Sequence, residues 1–144
     1  MEADDAIEED LRRRIAASPF HSGFGVEVEQ ARRGEVRLAW QARDEHRNLQ
    51  GLVHGGVLAT LVDMAMGLAV RTVVGETRRH VTIEMTVHYL RPTAPGRLRA
   101  LGATQRVGSQ IAFADGTVFD AHDRILVRAT GAYSVTADRD AAPA

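Results

Sequence analysis

The sequence predicts an α+β domain in which an antiparallel β-sheet wraps around one long central helix, with a short helix at the N-terminus. Residues 55–74 form a run of helix length, stopped by Gly75, that is apolar on almost every side, which predicts a helix enclosed by other elements. From His80 onward, apolar and polar residues alternate with a period of two, which indicates β-strands. A sheet curled around the helix is the simplest way to bury the apolar side chains of both the helix and the strands.

The N-terminal segment predicts a surface helix. Residues 3–17 place acidic side chains in the first turns and arginines toward the end, an order that suits the helix dipole. Ser18 and Pro19 are expected to end this helix. Phe20 and Phe24 are predicted to anchor it on the body of the domain.

A hairpin and a loop are predicted before the central helix. Residues 24–30 and 34–41 alternate apolar and polar side chains around residues 31–34, which predicts two paired strands. One face of the second strand is expected to carry Val36, Leu38 and Trp40. Residues 41–51 are polar and irregular, which predicts a loop.

Four strands are predicted after the helix. The first covers residues 80–90, with apolar side chains on one face (Val81, Ile83, Met85, Val87 and Tyr89) and polar side chains on the other (Thr82, Glu84, Thr86 and His88). The other three, at 97–107, 109–120 and 123–135, are predicted to continue it as a meander. This order predicts the hot-dog fold, with residues 1–20 as the N-terminal helix and lead-in, 21–136 as one domain and 137–144 as a disordered tail.

Charge and composition exclude several classes of function. The formal net charge is −1, so no overall field attracts nucleic acid or an anionic membrane. All 18 basic residues are arginines and there is no cysteine, which excludes lysine Schiff bases, P-loop lysines, thiol nucleophiles and cysteine metal sites. The acidic start of the chain is unlike a signal peptide, and the one run of membrane-spanning length contains His54 and Asp63. We therefore expect a cytoplasmic protein without nucleic-acid or membrane partners.

Asp63 lies near the middle of the apolar helix, although a carboxylate is rarely buried without a partner. At the helix N-terminus, the backbone N–H groups of Gly55 and Gly56 lack intrahelical partners and form an anion site, which suits an oxyanion. Asp63 lies about 12 Å further along the helix axis, so one chain cannot place both groups on one carbonyl. Two antiparallel helices related by a two-fold axis can do so. The spacing predicts a homodimer with two interfacial sites, provided that the two groups act together.

Two residues before the glycines complete the candidate site. Asn48 offers an amide that both donates and accepts hydrogen bonds, which suits it to hold a water or a carbonyl. His54 is expected either to orient the loop or to bond the substrate. Each feature alone also has a structural interpretation, since glycines serve tight turns and an Asp in a helix can bond a neighbour for stability. The four features together favour a catalytic site.

The motif N-x-x-G-x-x-H-G-G-x-x-x-x-x-x-D, from Asn48 to Asp63, resembles the PaaI-type hot-dog acyl-CoA thioesterases, and the likeness extends over residues 18–136. The resemblance implies that Asp63 is the catalytic carboxylate and that the Gly55 N–H of the partner subunit is the oxyanion hole. It also implies that Asn48 positions water or the thioester, with His54 associated, and that Thr82 assists the water. It further implies a dimer of dimers, no metal, and no cofactor, because coenzyme A is part of the substrate.

Substrate contacts are the least defined part of the resemblance. Many relatives carry a charged residue in the turn that faces the coenzyme A phosphates, whereas the turn here contains Gly108 and Ser109. Arg91 or Arg106 is then expected to supply the charge, unless both are ordinary surface arginines. Gly56 is expected to contribute to the substrate site. The acyl pocket is predicted to be lined by Met64, Met66 and Leu68 from the helix, with Phe113 or Tyr89 from the strands.

The leading functional prediction is hydrolysis of an aromatic or medium-chain acyl-CoA to a free acid and coenzyme A. Asp63 would serve as general base or as nucleophile. A hot-dog hydratase or dehydratase is an alternative, with His54 and Asp63 paired across the dimer. A non-catalytic acyl-CoA-binding module is another, although a binding protein has no need of a carboxylate at position 63.

Overall fold

The computed structural model of the protein describes residues 2–138. Within them, three α-helices and six β-strands follow in the order α1 (Glu2–Ala17), α2 (Pro19–Phe24), β1 (Glu27–Arg32), β2 (Glu35–Gln41), α3 (Gly55–Val74), β3 (Arg78–Tyr89), β4 (Arg97–Val107), β5 (Ile111–Phe119) and β6 (Ile125–Ala137). The predicted α+β hot-dog architecture is confirmed, and α3 has the predicted bounds. A turn of 3₁₀ helix, Asp44–His46, lies in the predicted loop.

α3 packs lengthwise against the inner face of the sheet. Its backbone approaches β4 so closely that a Cβ at Gly102 would overlap the carbonyl oxygen of Ala65. Only glycine permits this approach. α3 has the length and the mean hydropathy, 1.8, of a membrane-spanning helix, and half of its apolar window is buried inside the domain. The apolar character of the helix is therefore accounted for by the core that it builds.

Gly102→Ala is expected to destabilise the fold by about 3 kcal/mol, the upper part of the usual range for overpacking a core. The added methyl group meets backbone atoms of α3, which cannot rotate away. Urea unfolding followed by the fluorescence of the single tryptophan, Trp40, measures the change. Gly23→Ala in α2 is the matched control, because a Cβ there meets nothing within 4 Å. Equal unfolding free energies for the two variants would contradict the prediction.

The sheet is antiparallel, with strand order β1-β2-β4-β5-β6-β3. The hairpin of β1 and β2 is confirmed, and β4, β5 and β6 form a meander. β3 is not part of that meander, because it pairs with β6 at the edge of the sheet while β4 pairs with β2. The prediction of a four-strand meander is therefore wrong for β3. Local alternation identifies a strand but does not identify its neighbours.

A β-bulge divides β3 into two parts that face different ways. The pairing with β6 shifts between Thr82 and Glu84, so the extra residue, Ile83, reverses the alternation. Before the bulge, Thr82 faces α3 and Val81 is exposed; after it, Met85 packs against the core. The prediction that the apolar residues of this strand share one face is wrong for this reason.

The connection between α1 and β1 is a second short helix. The Ser18 side chain accepts a hydrogen bond from the His21 N–H and caps α2. Phe24 stacks on Trp40 with ring centroids 4.5 Å apart, and Trp40 Nε1 donates to the Phe24 carbonyl oxygen at 2.7 Å. Phe24 is therefore an anchor, as predicted. Phe20 is 64% exposed, so its predicted anchoring role is wrong, because α2 turns it away from the core.

The last strand continues one residue beyond position 136, where the domain is predicted to end. β6 continues to Ala137, which pairs with Arg78 of β3. The prediction of a disordered tail concerns residues 137–144, of which 139–144 lie outside the described residues. Ala137 itself is in a strand.

Candidate active site

Asp63 is the centre of a hydrogen-bonded cluster on α3. Its Oδ1 atom accepts hydrogen bonds from the Thr82 hydroxyl and from the Tyr133 hydroxyl, both at 3.0 Å. No hydrogen bond from residues 2–138 reaches its Oδ2 atom. The carboxylate is thus held by one oxygen, and the other is available to a ligand.

Thr82 reaches Asp63 because of the bulge in β3. Thr82 pairs with Tyr133 of β6, and both side chains point from the inner face of the sheet toward α3. The sequence motif contains Asp63, and the family resemblance implied Thr82, but neither pointed to Tyr133. The signal that points to Tyr133 is its register opposite Thr82, which depends on strand pairing and not on the sequence pattern alone.

A cavity of about 800 Å³ opens beside Asp63. α1 and α2 form one of its walls, and α3, β3 and β6 form the others. Its apolar lining includes Phe20, Met64, Leu68 and Val81. Its polar lining includes Thr82, Tyr133, His21 and His80. The cavity combines a carboxylate with an apolar surface, which suits a substrate that is an ester or thioester of an apolar acid.

Burial changes the protonation of three side chains around the cavity. Burial, together with the adjacent Asp63 charge, holds the pKa of Tyr133 above its usual value, so its hydroxyl keeps its proton. Burial lowers the pKa of His80, and the nearby Arg71 charge lowers it further. Burial also lowers the pKa of His21, against the opposing effect of Asp63. Both histidines are therefore neutral at pH 7 and act as hydrogen-bonding groups there.

The residues predicted to line an acyl pocket lie in different places. Met64 and Leu68 line the cavity. Met66 is fully buried in the core, because it lies on the side of α3 that faces the sheet. Phe113 is half exposed on the outer face of the sheet. Tyr89 lies at the far end of α3, where its hydroxyl donates to the Gly55 carbonyl oxygen at 2.9 Å.

The two glycines at the start of α3 differ in what their N–H groups do. The Gly56 N–H donates to Nδ1 of His54 at 2.9 Å, so His54 is the N-cap of the helix. The Gly55 N–H has no acceptor among the described residues, and it remains available to a ligand. A Cβ at Gly55 would lie 3.3 Å from the Tyr89 ring. The arrangement favours Gly55 over Gly56 as the donor of an anion site.

Asn48 organises the loop before α3. Its Oδ1 atom accepts hydrogen bonds from the N–H groups of Gln50 and Leu52, at 2.9 and 3.0 Å. The acceptor side of the amide is thus engaged by the backbone. Its Nδ2 group has no acceptor within residues 2–138, so Asn48 can offer a ligand a donor but not its oxygen.

The structure does not bring Arg91 and Ser109 together within one chain. The Arg91 N–H bonds to Leu126 at the start of β6, whereas the turn that contains Ser109 is tied to Val135 near its end. At about 3.3 Å per residue, these two positions along β6 are about 30 Å apart. Arg106 is exposed on the outer face of the sheet, in register with Phe113.

Gly55 and Asp63 are likewise separated within one chain, as their spacing on α3 requires. Asp63 lines the cavity, whereas Gly55, Asn48 and His54 do not. The described chain therefore contains two separate candidate half-sites, one around Asp63, Thr82 and Tyr133, and the other at the start of α3.

Comparison with known proteins identifies the family of this chain. The sequence model of the thioesterase superfamily matches residues 50–127, which include the start of α3, Asp63 and Thr82. The medium/long-chain acyl-CoA thioesterase YigI of Salmonella typhimurium is 30% identical over 135 residues, covering 81% of this chain and 85% of YigI.

Solved structures share the fold. The conserved protein PA5202 of Pseudomonas aeruginosa is 25% identical, with a TM-score of 0.80, over 86% of this chain and 98% of that one. The PaaI protein of Escherichia coli, from the phenylacetic acid degradation operon, is 17% identical, with a TM-score of 0.83, over 92% and 94% of the two chains. At that identity the likeness to PaaI shows the fold alone. With the family match and the YigI relative, it follows that the chain belongs to the thioesterase superfamily and is a thioester hydrolase with the hot-dog fold.

Proposed function

We propose that the protein hydrolyses an acyl-CoA thioester to a free acid and coenzyme A, with Asp63 and the partner subunit's Gly55 N–H at one reacting carbonyl. The observation that carries this proposal is that two groups suited to thioester hydrolysis are free to contact a ligand. Asp63 Oδ2 and the Gly55 N–H both lack partners among the described residues, and each is held in place by its neighbours. One suits attack on a carbonyl, and the other suits the oxyanion that forms.

A homodimer would join the two half-sites. β3 is an edge strand, and Val81 and Ile83 on it are more than half exposed. An exposed apolar edge strand is a template for pairing with another chain. Pairing of β3 with its copy about a two-fold axis would place the two α3 helices side by side and antiparallel. The N-terminus of each helix then approaches the middle of the other.

The proposed reaction uses the free oxygen of Asp63. In one route, Oδ2 takes a proton from a water that attacks the carbonyl, and the C–S bond then breaks to release the coenzyme A thiolate, which takes up that proton. In the other, Oδ2 attacks the carbonyl itself and expels the coenzyme A thiolate to form a mixed anhydride, which water cleaves to the free acid and the Asp63 carboxylate, with the water's remaining proton passing to the thiolate. In both routes the negative charge develops on the thioester oxygen, where the Gly55 N–H stabilises it. Asn48 Nδ2 and the exposed His54 ring remain candidate contacts to the water or the thioester. No resident cofactor or metal is required by this scheme.

The hydratase alternative has less support in the site. It needs His54 as a proton acceptor, but Nδ1 of His54 already accepts the Gly56 N–H. That bond fixes the ring as the cap of α3. Conversion of a 3-hydroxyacyl thioester to an enoyl product, with no free acid formed, would restore this alternative.

We propose a medium-chain or aromatic acyl group, bound in the cavity beside Asp63. Met64 and Leu68 offer it an apolar wall from α3, and Phe20 offers an aromatic surface from α2. The relative YigI is a medium/long-chain acyl-CoA thioesterase, which supports a medium-chain acyl group. Hydrolysis rates on phenylacetyl-, hydroxybenzoyl- and straight-chain acyl-CoA thioesters would distinguish an aromatic from a medium-chain acyl group.

Phe20→Ala is expected to raise KM for the preferred acyl-CoA by about tenfold while kcat changes little, because loss of an apolar contact of about 1.4 kcal/mol weakens binding by that factor. Steady-state kinetics on the acyl-CoA series measures the change. Phe119→Ala is the matched control, since Phe119 lies on β5 away from the cavity. An unchanged KM for Phe20→Ala would place the acyl group elsewhere.

The complete assembly is proposed to be a tetramer of two such dimers in the cytoplasm. The outer face of the sheet, opposite α3, exposes Ile111 and Phe113, which would form part of the contact between dimers. Coenzyme A phosphates would meet Arg91 of one subunit and the Ser109 turn of the other, because β3 pairing brings these ends together. Light scattering coupled to gel filtration measures the oligomeric state directly.

A further inference from the structure

We propose that Tyr133 is a positioning residue for Asp63: its buried hydroxyl holds Oδ1, so that the carboxylate presents Oδ2 alone to the thioester. This inference rests on the proposed function, because it assigns Asp63 its catalytic role. It adds a residue that the motif around α3 does not contain. Tyr133 lies on β6, seventy positions from Asp63 along the chain, and reaches it across the interior of the fold.

The ring of Tyr133 is fixed in a tight slot between α3 and the sheet. The side chain is 1% exposed. A Cβ at Gly67 of α3 would lie 3.7 Å from one edge of the ring, and a Cβ at Gly131 of β6 would lie 3.2 Å from the other. Glycines on both sides therefore leave enough space for the ring, but the ring has little freedom to rotate. The hydroxyl points at Asp63 without the entropy loss that a mobile side chain would suffer.

Both hydroxyl donors act on the same oxygen. Tyr133 and Thr82 each donate to Oδ1 at 3.0 Å, which saturates that atom and removes it from competition for water or substrate. Hydrogen bonds to an ionised acceptor are stronger than hydrogen bonds between neutral groups. Tyr133 keeps its own proton, so it acts only as a donor. The result is a carboxylate with a fixed plane and one reactive oxygen.

Other charged and titratable groups near Asp63 do not duplicate this role. The other charged and titratable residues that line the same cavity are His21 from α2, His80 from β3, Arg71 from α3, Arg14 from α1, Arg78 and Arg79 from β3, and Asp138. None of them hydrogen-bonds the Asp63 carboxylate within residues 2–138. Arg71 instead donates to the carbonyl oxygens of Gly75 and Arg78 at the end of α3. Removal of the Tyr133 or the Thr82 hydroxyl is therefore expected to change the position of the Asp63 carboxylate directly.

Tyr133→Phe tests the proposal because it keeps the ring in its slot and removes only the hydroxyl. The ¹³C chemical shift of the labelled Asp63 carboxyl at pH 7, assigned with Asp63→Asn, is expected to change because one of the two hydrogen bonds to Oδ1 is lost. kcat at its pH optimum should fall about tenfold, with KM changed less than about twofold.

The neighbouring Ser134→Ala is the matched control, since the Ser134 hydroxyl donates to the Val81 carbonyl oxygen on the other side of the strand. It should leave the Asp63 carboxyl signal and kcat unchanged. A folded Tyr133→Phe variant with the wild-type Asp63 carboxyl signal would overturn the proposal, whatever its activity. If instead Asp63→Asn remains active while Tyr133→Phe changes the Asp63 carboxyl signal, the positioning contact stands and the proposed function fails.

A second substitution guards against loss of folding in Tyr133→Phe. Replacement of Tyr133 by 3-fluorotyrosine keeps the hydroxyl and makes it a stronger donor. The chemical shift of the Asp63 carboxyl should then move in the direction opposite to its change in Tyr133→Phe. An unchanged chemical shift in this variant would also overturn the proposal.

Discussion

Asp63→Asn is expected to reduce kcat/KM for the preferred acyl-CoA by about 10³-fold, within the range that a positioned general base contributes. An amide has nearly the shape of the carboxylate, and its oxygen can still accept hydrogen bonds from Thr82 and Tyr133. The amide nitrogen in place of Oδ2, however, can neither take a proton from water nor attack a carbonyl. Release of coenzyme A thiol, followed with a thiol reagent, measures the loss.

The control for Asp63→Asn is Asp115→Asn, which changes a carboxylate on the exposed outer face of β5. The control should retain wild-type kinetics, and both variants should keep their far-ultraviolet circular dichroism. Hydrolysis by Asp63→Asn at the wild-type rate would remove Asp63 from the mechanism. It would leave the assignment to the thioesterase superfamily untouched, since that assignment rests on sequence and fold.

The helices and strands of this protein were largely predictable from the sequence because their hydrophobic patterns are strong. The central helix is apolar on almost every side and ends at Val74, with Gly75 as its C-cap. The face of β2 that carries Val36, Leu38 and Trp40 is buried as its alternation predicts. In each case a local pattern determines a local structure, and packing then reinforces it.

What the sequence could not provide is the pairing of strands and the position of the bulge. A bulge at Ile83 adds one residue without any glycine or proline to mark it, and it alone turns Thr82 toward Asp63. The prediction for Phe20 was wrong for a similar reason. Ser18 caps a second short helix, α2, which the sequence pattern did not indicate. These features depend on tertiary contacts, and a period-two pattern carries no information about them.

The candidate site also contains residues that the sequence predicts and residues that it does not. Asp63 and Gly55 were predictable because the chemistry of a carboxylate and a helix N-terminus follows from the sequence motif. Tyr133 was not, since it reaches Asp63 only through the pairing of β3 with β6. The roles of Asn48 and His54 also needed the structure, which shows that each already holds the backbone with one of its polar atoms.

Gly55→Pro is expected to lower kcat by about 10²–10³-fold, the loss found when one oxyanion-hole donor is removed. Proline removes the N–H and is favoured at the first position of a helix. His54, which precedes it, has φ −62° and ψ 134°, a conformation suited to a residue before proline. The added ring must displace Tyr89 slightly, and Tyr89 is 53% exposed and free to move. The fold should therefore survive while the donor is lost.

Combining the two inactive variants tests whether the sites lie across subunits. In a dimer of one Gly55→Pro chain and one Asp63→Asn chain, one of the two interfacial sites carries both substitutions. The other joins the wild-type Asp63 of the first chain to the wild-type Gly55 of the second. Co-expression with two affinity tags and sequential purification isolates this mixed dimer, which should recover about half of the wild-type kcat. Each variant alone remains inactive, so recovered activity can arise only from a site shared between chains. A mixed dimer as inactive as its parents would mean that Asp63 and Gly55 do not act on one carbonyl, and the carboxylate in α3 would then need a partner within its own chain.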